Sequence, residues 1–154
     1  MFRQKRKKVF RKSERGATFP EFALGGLVFL TAIFGIIEFS RLLLTHNQLT
    51  DAVRRGARYA SMVSSTNTTA VKNMVVYGTS TAGTSGTEVA WGLTTSNVNV
   101  VYSAGYDTKN GSVTVTITGY EFSFNIPMIG STITLPPYKA SSTAESAGRV
   151  PSDI

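Results

Sequence analysis

The sequence predicts an α+β protein. A long N-terminal helix, transmembrane in its first half and amphipathic in its second, packs on a small C-terminal antiparallel β-sheet. Three observations predict this arrangement. Residues 22–37 form a sixteen-residue uncharged run in which Thr31 is the only polar residue. A spacing of three and four between apolar residues then continues to Val63, the pattern of a helix with one buried face. From residue 97 onward apolar residues alternate instead, in runs separated by Gly, Pro and Asn-Gly, as in short strands joined by turns.

The charge distribution orients the first element. The chain has 154 residues, 16 Lys and Arg against 9 Asp and Glu, one His and no Cys, for a net charge of +7. Residues 1–16 hold eight basic residues and Glu14, so they carry the whole excess, while from Ala17 onward eight basic and eight acidic residues balance. A basic arm can bind phosphate backbones, but here it directly precedes the apolar run. The positive-inside rule then places the arm in the cytoplasm and everything after Ile37 outside. Residues 22–37 cover about 24 Å of helix, and extension back to Ala17 gives about 31 Å, enough for a hydrocarbon core of about 30 Å. A removable secretory signal would end in a small-x-small cleavage site, and Glu38-Phe39-Ser40-Arg41 offers none. The expected organisation is a basic leader at 1–16, a transmembrane helix at 17–38, its amphipathic continuation at 39–63 and an extracytoplasmic domain at 64–154.

Extending the span to Ala17 includes Glu21. A carboxylate in a membrane helix costs up to about 2.5–3.5 kcal/mol at the centre and less near the end. Arg15 is six residues away and therefore not a helical neighbour. Either Glu21 is an interfacial residue favoured by the helix dipole at an N-terminus, or another molecule supplies its partner. Pro20 fits a first helical turn, where its missing N–H is not needed.

Beyond the apolar run, Phe39, His46, Val53 and Ala60 recur every seven residues, as do Leu42, Leu49, Gly56 and Val63. They define a helix-packing seam, and one continuous helix is expected over 17–63. Gly56, Ala57 and Ala60 permit close backbone approach. Glu38 with Arg41, and Asp51 with Arg54 or Arg55, have the spacing of ordinary surface ion pairs. Arg54, Arg55 and Arg58 read as a solvated face, and His46 as a packed or interfacial imidazole.

In the outer domain a short helix is expected at 69–77 and a Ser/Thr/Gly loop at 79–87. Val98 and Val100 mark one strand, and Val113, Val115 and Ile117 a second. Asp107-Thr108-Lys109-Asn110-Gly111 is the turn between them. Tyr120, Phe122 and Phe124 fall on the opposite parity, so Gly119 marks a bulge or a strand break. Ile133 and Leu135 suggest a further strand. Pro136-Pro137 interrupts it, and extended structure resumes near 138–144. Trp91, Tyr102, Tyr106 and Tyr120 are read as core or rim, with a binding surface as the alternative.

No catalytic, cofactor-binding or metal-binding residue is expected. Cysteine chemistry is excluded by composition, and a single His leaves His-based metal sites and most His-assisted catalysis without material. Neither a triad nor a phosphate-binding Gly loop is visible, so the chain reads as a structural protein rather than an enzyme.

Two segments resemble a known family. Arg15-Gly16-Ala17-Thr18-Phe19-Pro20-Glu21-Phe22, ahead of the apolar run, is similar to the class III leader of type IV pilin-like proteins. The stretch from Asn47-Gln48-Leu49 through Ala52, Arg54, Gly56-Ala57-Arg58-Tyr59-Ala60 resembles the signature that follows the membrane helix in TadE-like proteins. Those are pseudopilin or minor-pilin-like components of Tad (Flp-type) pilus systems. The resemblance extends over residues 15–60 and is only architectural afterwards. It implies a pilin-like fold, cleavage by a prepilin peptidase between Gly16 and Ala17, and pairing of Glu21 with the new α-amino group of a neighbouring subunit. It also implies other pilin-like subunits, the pilus assembly platform and the lipid bilayer as partners. The expected location is the bacterial inner membrane, with the N-terminus cytoplasmic, or the pilus itself. No cofactor or nucleic acid is expected. The alternatives are an uncleaved single-pass membrane-anchored adhesion or binding protein, and a membrane-tethered nucleic-acid binder using the basic arm.

Overall fold

The structure, a computed structural model, describes residues 18–103, 111–126 and 129–143. Helix α1 runs over Thr18–Met62 and helix α2 over Thr68–Tyr77. A 3₁₀ turn at Thr95–Asn97 leads into strands β1 (Val98–Tyr102), β2 (Ser112–Ile117), β3 (Glu121–Ile126), β4 (Ile129–Thr134) and β5 (Tyr138–Thr143). The long helix, the short helix and the antiparallel strands are those the sequence predicts. Two compact units divide between Ile37 and Glu38.

The first unit, as described, is the apolar start of α1. Only 6% of the most apolar eighteen-residue window of this helix is buried, and Phe19, Phe22, Leu24, Phe29 and Ile36 are all exposed. A core helix of a soluble domain would be mostly covered. An apolar surface of this length needs lipid or other apolar helices around it. Pro20 is the third residue of α1, within the turn whose N–H groups have no intrahelical acceptor.

The second unit is built on an antiparallel sheet in the order β1-β2-β5. Its register stacks three rows on one face: Val98 opposite Ile117 and then Tyr138, Val100 opposite Val115 and then Ala140, and Tyr102 opposite Val113 and then Ser142. Side chains alternate along a strand, so Thr114, Thr116, Lys139 and Ser141 take the other face. Leu49, Ala52, Val53, Ala57 and Ala60 of α1 and Val71, Val75 and Val76 of α2 share one buried cluster with the sheet. Helix α2 ends where Gly78, at φ +74, donates its N–H to the Met74 carbonyl at 3.1 Å, a left-handed cap that glycine adopts without strain.

Gly56 is where these layers come closest. A Cβ there would run into the Val75 side chain and touch Val115 Cγ1 at 3.5 Å. Val75 is fully buried and β-branched, so it has no free rotamer to yield into. Gly56→Leu is expected to destabilise the outer unit by about 1–3 kcal/mol, read as a lower urea midpoint of the chain in detergent micelles. An unchanged midpoint would show that the layers are not this close.

The change of parity at Gly119 is a strand break. Gly119 sits at φ +64, and after it β3 leaves the three-stranded sheet and pairs only with β4, from Glu121 with Thr134 to Ile126 with Ile129. Odd residues of β2 and even residues of β3 therefore reach the same core without a shared register. The chain is pinned on both sides of the break: Thr118 N–H donates to the Asn97 carbonyl at 2.9 Å, and Leu135 N–H to the Tyr120 carbonyl at 2.9 Å. Ile133 lies within β4, and β5 starts directly after Pro136-Pro137.

Candidate assembly surface

Gly16 and Ala17, the residues of the predicted processing site, lie outside the described residues. Glu21 is exposed in the first turn of α1, where its carboxylate faces the positive end of the helix dipole. Among the described residues Glu38–Arg41 is the only ion pair, so no described cation is paired with Glu21.

The predicted seam is brought together over most of its length. Leu49, Val53, Gly56 and Ala60 are buried, and Leu42 packs half-buried against the same cluster. Phe39 stands apart at 60% exposed, and the inward position at that level belongs to Glu38. The reason is geometric: a seven-residue repeat drifts by about 20° per two turns on a straight helix, so a seam extrapolated back from Val53 has rotated away by Phe39. Ala52, Ala57 and Ser61 are also buried.

Glu38 corrects a second expectation, that it forms an ordinary surface pair. Arg41 Nη1 lies 2.7 Å from both carboxylate oxygens, but the Glu38 side chain is only 7% exposed against 42% for Arg41. The Arg41 guanidinium stands 5.4 Å from the centre of the Phe122 ring, a cation–π distance, and Phe122 meets Phe124 edge to face at 5.1 Å. Further along the helix, His46 Nδ1 lies 2.8 Å from the Tyr138 hydroxyl, with the rings edge to face. The lone histidine thus holds the start of β5 to α1.

The three arginines divide. Arg55 turns towards α2 and donates from Nε to the Met74 carbonyl at 3.4 Å. Arg54 and Arg58 line an open groove of about 380 Å³ with Ser61, Met62 and residues 140–142 of β5. Of the aromatic residues, Tyr120 is buried and donates its hydroxyl to the Trp91 carbonyl at 2.7 Å, while the Trp91 side chain is 84% exposed. Tyr102 packs half-buried on the core, and Tyr106 lies outside the described residues. Among the described residues no group of three His, Asp or Glu side chains is placed to hold a metal ion.

Burial pushes both the Tyr120 and Tyr138 phenols above their ordinary value of 10.0. The folded chain therefore holds these protons more tightly than the unfolded chain does. That stability is whole below pH 10 and is lost as pH rises through the folded values. Denaturation midpoints are expected to fall above pH 10, with a shallower fall in Tyr120→Phe. A midpoint that stays flat well above pH 10 would contradict this.

Residues 16–58 match the family model described as TadE-like protein. No curated protein and no solved structure matches the chain. The matched segment runs from the predicted processing site through Glu21, the apolar run and the Glu38–Arg41 pair to Arg58. Over residues 16–58 the chain is thus similar to the TadE-like family that its own motifs resemble.

Proposed function

We propose that this protein is a structural subunit, a TadE-like pseudopilin or minor pilin, acting in assembly or initiation of a Tad-type pilus. One observation carries the reading: within the TadE-like segment, an uncovered apolar helix bears one carboxylate, Glu21, with no described partner. In this mechanism the basic leader orients insertion into the bacterial inner membrane, leaving the N-terminus cytoplasmic. A prepilin peptidase cuts between Gly16 and Ala17. The freed helix packs laterally with other pilin-like helices on the assembly platform, and Glu21 neutralises a neighbouring terminus. The outer unit presents contact surface and performs no catalysis. The exposed apolar helix supports the lateral step because it is one face of a contact whose other face must be apolar as well.

The leader tests the proposal. Gly16→Leu is expected to leave full-length chain in the membrane and to abolish pilus formation in a strain that depends on this copy. Continued shortening of that variant would overturn the processing step. The alternative of an uncleaved membrane-anchored adhesion protein is favoured by Trp91, an exposed aromatic on a turn pinned by Tyr120 and by Leu93 N–H to the Ala90 carbonyl at 3.0 Å. Under that alternative the leader stays attached, and Trp91→Ala abolishes surface binding without affecting pili.

A further inference from the structure

Strand β5 is an edge of the three-stranded sheet, and the ladder fixes which of its backbone groups point outward. Ser103 N–H donates to the Ser112 carbonyl at 2.8 Å and Thr118 N–H to the Asn97 carbonyl at 2.9 Å, so the even residues of β2 bond to β1. Backbone groups along an antiparallel strand turn to its two neighbours alternately. Val113, Val115 and Ile117 therefore bond to β5, at Ser142, Ala140 and Tyr138. Lys139 and Ser141, between those positions, direct their N–H and C=O groups away from the sheet. The Ser141 hydroxyl stays on the outer face, 3.0 Å from that of Thr114, so its backbone is what faces the Arg54–Arg58 groove.

The opposite wall of that groove is α1, with Arg54, Ala57, Arg58, Ser61 and Met62. Both arginines and Met62 are exposed, while Ala57 and Ser61 are small and buried. Arg54 and Arg58 are one helical turn apart, about 6 Å along the axis. Side chains on one face of a strand repeat at nearly the same interval, about 6.7 Å. Neither residues 52–62 nor β5 contain an acidic residue. Among the described residues neither arginine forms an ion pair, although Asp51 stands three positions before Arg54.

We infer that this groove is a docking site for an extended acidic peptide segment of a partner protein, which adds to β5 as a fourth strand and sets carboxylates against Arg54 and Arg58. Two properties select that occupant. An edge strand offers N–H and C=O groups in alternation, and another peptide backbone answers both. A lipid or nucleic-acid phosphate only accepts hydrogen bonds and leaves the Lys139 and Ser141 carbonyls unanswered. The charge, moreover, is of one sign, since exposed Lys139 adds to the arginines. A basic strand is repelled, and two β5 edges from different copies would set like charges together. The site lies wholly within the outer unit, so the inference stands whether or not the leader is cut.

The probe is a fluorescein-labelled peptide, Gly-Val-Glu-Val-Glu-Val-Gly, titrated against the full-length chain in uncharged detergent micelles and followed by anisotropy. Saturable binding is expected, and its absence overturns the site. Replacing both Glu by Lys should abolish binding. Of two peptides N-methylated at alternate residues in opposite phase, at least one should lose binding, because methylation removes donors and keeps every side chain. Undiminished binding of both overturns strand addition. The double variant Arg54→Gln, Arg58→Gln is expected to weaken binding about tenfold or more, and unchanged affinity overturns the charge pairing. Ser141→Pro removes an outward N–H and no bond to β2, a position where an edge strand tolerates proline. It should lower affinity several-fold at an unchanged urea midpoint. If that midpoint falls, the methylated peptides decide the matter on the unsubstituted chain. Tighter binding of phosphatidylglycerol or a single-stranded oligonucleotide than of the Glu peptide, lost in the same double variant, would assign the groove to phosphate and overturn the inference.

Discussion

Glu21→Gln is expected to lower incorporation of this subunit into pili about tenfold or more, while leaving the stability of the outer unit unchanged. The first part follows from the proposed pairing. A carboxylate near the end of a membrane helix is expensive unless another charge answers it, and close charge pairs at interfaces contribute about 1.5–7 kcal/mol. Even the low end of that range is about tenfold in an equilibrium. The second part follows from position: Glu21 lies in the first unit, in an exposed helical turn, and touches nothing in the core. Counting subunits per pilus by quantitative mass spectrometry checks the first part, and urea midpoints check the second. Wild-type incorporation of Glu21→Gln would leave Glu21 as an interfacial residue favoured only by the helix dipole.

Leu49→Ala is expected to cost about 2–5 kcal/mol, because Leu49 is fully buried where α1 meets the core. Phe39→Ala, on the same heptad pattern but 60% exposed, should change folding stability by less than about 0.5 kcal/mol. Chemical denaturation of the two variants in the same micelles compares them directly. Similar losses would mean that the packed face of α1 continues unrotated from Leu49 to Phe39.

That contrast also marks what residue patterns can and cannot reveal. The length of α1 was legible because a charge-free run and a 3-4 spacing each persist over many turns, and propensity errors average out over such lengths. The short helix expected at 69–77 is α2, Thr68–Tyr77. Parity gave a bulge or a break at Gly119, since odd residues of β2 and even residues of β3 cannot share one buried strand face. It could not give the pairing: β2 reaches across to β5, not to its neighbour β3, and that choice depends on contacts remote in sequence. The burial of Glu38 was hidden for the same reason. Its i, i+3 spacing to Arg41 is identical in a surface pair and a covered one, and the contact of Arg41 with Phe122 joins residues more than eighty positions apart. The seam itself was legible at Leu49, Val53, Gly56 and Ala60. It blurred towards Phe39, where helical drift accumulates over two heptads.

The most direct test of the whole account is the N-terminus of the protein isolated from its native membrane, read by intact mass and terminal peptide sequencing. A processed pilin-like subunit starts at Ala17, with the basic leader gone and the remaining side chains formally neutral. A population that retains residues 1–16 would contradict the account and leave an anchored protein with a permanent cytoplasmic arm.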